Sequence, residues 1–180
     1  MGTLTEMKVK EVKIKIIRAI CNLYQRDPEL IQENVNERSI THKLAEYLQD
    51  EFPEWHVDCE YNRRGNQVKR LSIENWNVSP EDTEAKTVFP DIIVHKRLTN
   101  QNLIILEVKK VRGNENTHDI DKLCAFTRDP NYSYCLGLFL RIGLEPNPIT
   151  DSELRVFIEG EEDVSWTQDL QQALGELSLW

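Results

Sequence analysis

The chain has 180 residues, of which 39% are hydrophobic and 29% are charged, and its formal net charge is −9 at pH 7. This length is typical of one domain that buries its own hydrophobic core, so a single domain over residues 1–180 is expected. No apolar run approaches the roughly 20 residues that a membrane-spanning helix needs, so no membrane partner is expected. The N-terminal residues mix both signs of charge and show no signal-peptide pattern. The four cysteines are widely scattered, which is typical of reduced thiols and predicts a cytoplasmic protein.

The negative charge is concentrated towards the C-terminal end. Residues 145–180 contain nine acidic side chains and one basic side chain, so the rest of the chain is nearly neutral. Within that rest, residues 63–70 carry four positive charges, and residues 95–112 carry five basic side chains against one acid. Phosphate groups favour basic surfaces. Because of these two basic segments, the overall negative charge does not exclude a nucleic-acid partner. A solvated face without a partner is the alternative reading of each segment.

The first half of the chain predicts two amphipathic helices. Apolar residues at three- and four-residue steps predict a helix over 5–25. A second helix is predicted over 37–51, with Asn36 as its N-cap. Its first residue, Glu37, lies on the apolar stripe of this helix, which places an acid at the inward edge. The positive end of the helix dipole is an alternative reason for an acid at that position.

Strands are predicted from residue 55 onwards. Residues 55–64 alternate enough to form a strand, and a long polar connection over 65–87 follows. Residues 88–111 then read as two strongly apolar strands joined by a short polar turn.

A helix is predicted from about Thr117, with its inward side chains being Ile120, Leu123 and Cys124. The apolar run 134–142 is typical of a strand that is buried on both faces. A further strand over 153–160 and a closing helix over 165–179 complete the order, which predicts an α/β fold with a mixed sheet flanked by helices. The closing helix is expected to pack on the sheet, and a docking surface or dimer contact formed by the terminal helices is the alternative.

Three charged residues stand at one end of the predicted hairpin. Glu107 shares a face of its strand with Lys109 and with Leu103, because side chains alternate along a strand. If the two strands pair antiparallel, Asp91 at the start of the first approaches Glu107 and Lys109 at the end of the second. Two close carboxylates repel each other, and burying them is costly unless a cation compensates.

Such a pair of carboxylates is typical of a site for Mg²⁺, which prefers oxygen ligands and accepts phosphate oxygens. A metal of this kind acidifies water and neutralises charge on a reacting phosphate, and a nearby lysine adds positive charge or orients the attacking water. The pattern therefore favours metal-assisted hydrolysis of a phosphodiester. A purely structural ion pair between Glu107 and Lys109 is the alternative, but it leaves Asp91 and Glu37 unexplained.

Glu-x-Lys alone is a weak signal, because the chain contains four instances of it. Only the pair Glu107 and Lys109 ends an apolar strand, and only that pair follows a Pro-Asp, which occurs once in the chain. Pro90-Asp91, a spacer of fifteen residues and then Glu107-Val108-Lys109 resemble the motif of the PD-(D/E)xK nuclease superfamily.

The resemblance implies a restriction-endonuclease-like core over about 37–142, in the order helix, three strands, helix, strand. The N-terminal helix and the acidic residues 145–180 lie outside it. It implies a Mg²⁺-dependent nuclease, with Mn²⁺ as a substitute and DNA as the favoured substrate. The metal ligands it implies are Asp91, Glu107, Glu37 and the backbone carbonyl of Val108. Lys109 would assist the attacking water.

Two further residues, Asp121 and Lys122, lie on the helix that follows and could reach the same site. Lys122 is the candidate catalytic residue of the two. A non-catalytic module that retains the nuclease fold and binds nucleic acid or a protein is the alternative function.

Overall fold

The computed structural model describes most of the chain, in the ranges 6–32, 35–61, 63–64, 67–68, 89–110, 117–143, 149 and 151–177. The helices are α1 (Glu6–Arg26), α2 (Pro28–Gln32), α3 (Glu37–Glu51), α4 (Thr117–Arg128) and α5 (Val164–Leu177). The strands are β1 (His56–Cys59), β2 (Arg63–Arg64), β3 (Gln67–Val68), β4 (Ile92–His95), β5 (Asn102–Lys110), β6 (Leu136–Ile142), β7 (Glu153–Ile158) and β8 (Glu161–Glu162). Within these ranges, no helix is both long enough and apolar enough to cross a bilayer.

Six strands form one mixed sheet in the order β1-β4-β5-β6-β7-β8. Neighbouring strands are antiparallel except for β5 and β6, which run parallel and are joined by the α4 crossover. The strands β2 and β3 form a separate antiparallel pair. The predicted α/β class, with a mixed sheet flanked by helices, is confirmed.

Two hydrophobic cores lie on opposite faces of the sheet, because consecutive residues of β4 and β5 alternate between them. The larger core is formed by the sheet with α1, α2, α3 and α5. The smaller core is formed by the sheet with α4, and it includes Ile93, Ile105, Leu123 and Phe126. The strand β6 contributes Leu138 to the larger core and Phe139 to the smaller one, as expected for a strand buried on both faces.

The helices that the sequence predicts are present, and α3 has the predicted bounds. Its N-cap is Asn36, whose side chain accepts a hydrogen bond of 3.0 Å from the backbone N–H of Arg38. The closing helix α5 packs on β7, and its buried residues Trp166, Leu170 and Leu174 belong to the larger core, so the expectation that it covers the sheet is confirmed. The short elements α2 and β8 were not predicted. Most of the connection over 65–87 lies outside the described residues.

The prediction that Leu103 shares a face with Glu107 is wrong. The pairing register of β4 and β5 shifts between Val94 and His95, whose partners on β5 are Ile104 and Asn102. Leu103 therefore falls at an irregularity, and it packs in the larger core together with Ile104. Strict alternation of side chains does not continue across a bulge.

The helix α4 approaches the sheet closely at Gly137 of β6. A Cβ atom at this position would lie 3.2 Å from Cγ2 of Thr127, 3.3 Å from Cβ of Leu123 and 3.3 Å from Cβ of Phe157. Two of these contacts are to Cβ atoms, which move only if the backbone of α4 or β7 moves. The absence of a side chain at Gly137 therefore sets the distance between α4 and the sheet.

The substitution Gly137→Ala is expected to destabilise the protein by about 1–3 kcal/mol, the usual cost of overpacking a core. Urea unfolding followed by circular dichroism measures this free energy. The matched control is Gly175→Ala in α5, where a Cβ atom would meet nothing within 4 Å. This control is expected to stabilise the protein by about 0.5–1 kcal/mol, because alanine suits a helix better than glycine. Equal effects of the two substitutions would contradict the close approach at Gly137.

Candidate active site

Asp91 lies in the bend immediately before β4 and is tied to the end of β5. Its Oδ2 accepts a hydrogen bond of 2.8 Å from the backbone N–H of Val108. Ile92 of β4 pairs with Leu106 of β5, and the two strands are antiparallel. Glu107, which follows Leu106, therefore lies opposite Asp91, which precedes Ile92. The antiparallel hairpin thus brings Asp91 beside the Glu107-Val108 segment, as its sequence predicts.

Glu107 is fully buried, with 0% of its surface exposed. It lies between Leu106 and Val108 on β5, and its carboxylate is on the α4 side of the sheet. Oε2 accepts a hydrogen bond of 2.7 Å from Nζ of Lys122. Oε1 is buried and has no hydrogen-bond partner among the described residues. A buried carboxylate oxygen without a partner is costly unless a donor or a cation compensates it.

The surroundings raise the pKa of both hairpin carboxyl groups and so disfavour their ionised forms relative to water. Burial raises the pKa of Glu107 well above its ordinary value of 4.5, and the negative charge of Asp91 raises it further, against the opposing effect of Lys122. Burial also raises the pKa of Asp91 above its ordinary value of 3.8, against the N–H of Val108 and the charges of Lys109 and Lys122. A bound cation would reverse this preference by stabilising the ionised forms.

Two lysines stand among these carboxylates. Nζ of Lys109 lies 3.2 Å from Oε1 of Glu37 and 3.4 Å from Oδ2 of Asp119. Nζ of Lys122 lies 2.7 Å from Oε2 of Glu107 and 2.9 Å from Oδ1 of Asp119. In the described part of the chain, the lysine that pairs with Glu107 is Lys122. The alternative interpretation, a purely structural ion pair between Glu107 and Lys109, is therefore wrong about the partner of Glu107.

Both lysines are held in their charged form. Burial alone would lower the pKa of the Lys122 ammonium, but the carboxylates of Glu107 and Asp119 outweigh it and leave that pKa raised. The pKa of Lys109 is raised in the same way, with burial opposed by Asp119 and Glu37. Each lysine can therefore contribute a positive charge and N–H donors at neutral pH.

The first turn of α3 is held against the end of β5. Glu37, the first residue of α3, accepts the hydrogen bond from Lys109, and its side chain is 37% exposed. The next lysine along β5, Lys110, donates to the backbone carbonyl of Val35, just before the helix N-cap. Glu37, the acid predicted at the inward edge of its helix, thus lies at the site. Lys109 and Lys110 of β5 hold it there, because both donate hydrogen bonds to the start of α3.

Asp119 is a member of this cluster that the sequence interpretation missed. It is only 4% exposed, and its Oδ2 has no hydrogen bond among the described residues although it lies 3.4 Å from Lys109. The buried stripe of α4 consists of Asp119, Leu123, Phe126 and Thr127. Ile120 and Cys124, which were expected to face inward with Leu123, are half-buried and pack against the smaller core. Asp119 lies four residues before Leu123, so its place on the inward stripe was the available signal.

The structure brings together the side chains of all five predicted residues: Asp91, Glu107, Lys109, Glu37 and Lys122. Asp121, the other acid considered on α4, makes no described contact with this cluster. A comparison with protein-family models, with curated proteins and with solved structures finds no match to this chain. The function is therefore inferred from the residues of the cluster themselves.

The net charge and the oxygen atoms of the cluster would suit a divalent cation, but the positions of its described side chains are not those of a metal site. Its four carboxylates and two ammonium groups leave two negative charges when all are ionised, which a divalent cation would neutralise. The oxygen of Glu107 that lacks a partner is a hard donor beside Asp91, the type of donor that Mg²⁺ prefers. Among the described residues, no three His, Cys, Asp or Glu side chains are arranged to hold a metal ion. Three of the four carboxylates instead have a lysine ammonium next to them.

Proposed function

We propose that this protein is a metal-dependent nuclease of the PD-(D/E)xK type that hydrolyses phosphodiester bonds, with DNA as the favoured substrate. The observation that carries the proposal is the buried carboxylate of Glu107, which has one oxygen without a hydrogen-bond partner among the described residues and lies beside Asp91 and Lys122. Apart from the separate pair β2 and β3, which follows β1, the elements come in the order α3, β1, β4, β5, α4, β6. This order of a helix, three strands, a helix and a strand is the one expected of the restriction-endonuclease-like core and supports the proposal.

The residues suited to hold Mg²⁺ or Mn²⁺ are Asp91, Glu107 and the carbonyl of Val108, with Glu37 completing or orienting the set. The cation supplies charge neutralisation at the phosphate and a water molecule of lowered pKa. Asp91 is oriented for this task by the N–H of Val108, which fixes one of its two oxygens.

Lys109 supports the reaction as a charged donor. Its ammonium is held by Glu37 and Asp119, and its raised pKa keeps it protonated at neutral pH. A protonated lysine donates hydrogen bonds to a water molecule or to a phosphate oxygen, and it stabilises the negative charge that develops there. It is therefore suited to orient the attacking water and to stabilise charge, and not to accept its proton.

A second candidate function is a binding module for nucleic acid or protein that retains the fold without catalysis. It is favoured by the pairing of Lys122 with Glu107, because this lysine already neutralises the carboxylate that the metal would need. A carboxylate paired in this way resembles a structural ion pair.

Incubation with a panel of substrates discriminates between the two functions. Plasmid, linear duplex DNA, single-stranded DNA and RNA are each incubated with the purified chain and Mg²⁺ or Mn²⁺, with a chelator as control. Cleavage of at least one substrate that the chelator abolishes supports the nuclease. If no substrate is cleaved under any of these conditions while binding is detected by gel shift, the binding module is supported instead.

A further inference from the structure

Five charged side chains form a continuous chain of alternating sign across the site. The order is Glu37, Lys109, Asp119, Lys122 and Glu107, and the successive nitrogen–oxygen distances are 3.2, 3.4, 2.9 and 2.7 Å. This charge chain joins the start of α3, the end of β5 and the first turns of α4. Asp119 is its central member and the only one in contact with both lysines among these described contacts.

Burying the carboxylate of Asp119 is unfavourable unless nearby positive charges stabilise it. The residue is 4% exposed and lies in the first turn of α4, on the stripe that continues with Leu123 and Phe126. An apolar side chain there would extend the smaller core without the cost of burying a carboxylate. The two ammonium groups compensate that cost, one on each oxygen of Asp119.

We propose that Asp119 is a positioning residue that holds the two ammonium groups apart, with Lys122 beside Glu107 and Lys109 beside Glu37. The catalytic meaning of this role rests on the proposed nuclease function. Without the charge of Asp119, each lysine would keep a single described ion-pair partner, Glu37 for Lys109 and Glu107 for Lys122. The negative charge of Asp91, which acts on both lysines, would then attract Lys109 away from its position. Lys109 would then leave the place from which it orients water. Asp119 would also retain Lys122 if a divalent cation bound at Glu107 and repelled its ammonium.

The substitution Asp119→Asn tests this role, because it keeps the shape of the side chain and removes its charge. Two measurements are made on the full chain. Acylation by an amine-reactive anhydride, followed by mass spectrometry, reports how firmly each lysine is held, and it needs no nuclease activity. It is expected to become several-fold faster at Lys109 and Lys122 and to stay unchanged at Lys13 of α1. The kcat for cleavage is expected to fall by about 10²-fold, the effect of a misplaced catalytic group, with KM little changed.

Two further variants separate charge from packing. Asp119→Glu restores the negative charge and is expected to recover part of kcat and to slow the acylation again, which a packing role would not require. Asp121→Asn removes an acid from the same helix outside the charge chain and is expected to change neither measurement. If Asp119→Asn does not fold, Asp119→Ser replaces it, since serine is well accepted near a helix N-terminus.

The outcomes distinguish this proposal from the proposed function. Unchanged acylation of both lysines in Asp119→Asn overturns the positioning role, whatever happens to cleavage. Faster acylation together with a lower kcat supports it. If the wild-type chain cleaves nothing and yet acylation rises in Asp119→Asn, the nuclease proposal fails while the positioning of the lysines is upheld.

Discussion

The substitution Lys109→Met is expected to lower the rate of nucleic-acid cleavage by about 10²- to 10³-fold, the usual effect of removing one preorganised electrostatic donor. Methionine keeps the unbranched apolar stem of lysine, so packing along the end of β5 is retained. The loss is expected mainly in kcat, because the ammonium acts on charge that develops in the transition state. Single-turnover cleavage with saturating Mn²⁺ measures it.

The matched control for this substitution is Lys13→Met on α1. Lys13 belongs to another Glu-x-Lys sequence, with Glu11, and its side chain is 20% exposed, as is that of Lys109. It also pairs with an acid, Asp169. The control therefore removes an equally buried, ion-paired lysine away from the site, and cleavage is expected to be unchanged.

Glu107→Gln extends the same experiment to a proposed metal ligand. The amide is close in shape to the carboxylate but lacks its charge, so cleavage is expected to be abolished while the circular dichroism spectrum is retained. Cleavage at the wild-type rate by both Lys109→Met and Glu107→Gln would place the activity outside this cluster. Loss in Lys13→Met as large as in Lys109→Met would show an indirect effect of removing a buried charge.

The local parts of this fold follow from the sequence, because they depend on short-range signals. The bounds of α3 are set by the Asn36 cap and by an apolar stripe, both of which can be read within one helix. The strand β6 is likewise marked by a continuous apolar run. To predict the approach of Asp91 to Glu107, one further assumption was needed, namely that two adjacent strands pair antiparallel. A short polar turn between the strands favours that pairing.

The parts that were missed depend on contacts between distant residues. The irregularity at Leu103 arises from the pairing of β4 with β5, and the residue types of β5 do not indicate it. The pairing of Lys122 with Glu107, and not of Lys109, depends on where α4 docks on the sheet. That docking is set by Gly137 and its neighbours, which lie on β6. Asp119 was missed because an acid in a first helical turn has a simpler explanation in the helix dipole.

The second large effect is expected in the stability of the protein with and without metal. The pKa values of Glu107 and Asp91 are raised in the folded, metal-free protein, so at these two groups the folded state binds more protons than the unfolded chain. The stability of the metal-free protein should therefore fall as the pH rises from the ordinary values of 4.5 and 3.8 through the raised ones. Thermal unfolding in the presence of a chelator, from about pH 5 to about pH 8, measures this slope.

A divalent cation bound at the proposed site would reverse the sign of this effect, because it would favour the ionised carboxylates. Metal at 100 times its Kd should stabilise the protein by about 2.7 kcal/mol, which corresponds to an increase in Tm of about 5–10 °C for a chain of this size. The increase should be larger at the higher pH, and binding should release protons. Glu107→Gln should flatten the slope of the metal-free protein and remove most of the metal effect. A Tm that responds to Mn²⁺ equally in the wild-type chain and in Glu107→Gln would mean that the cation binds elsewhere.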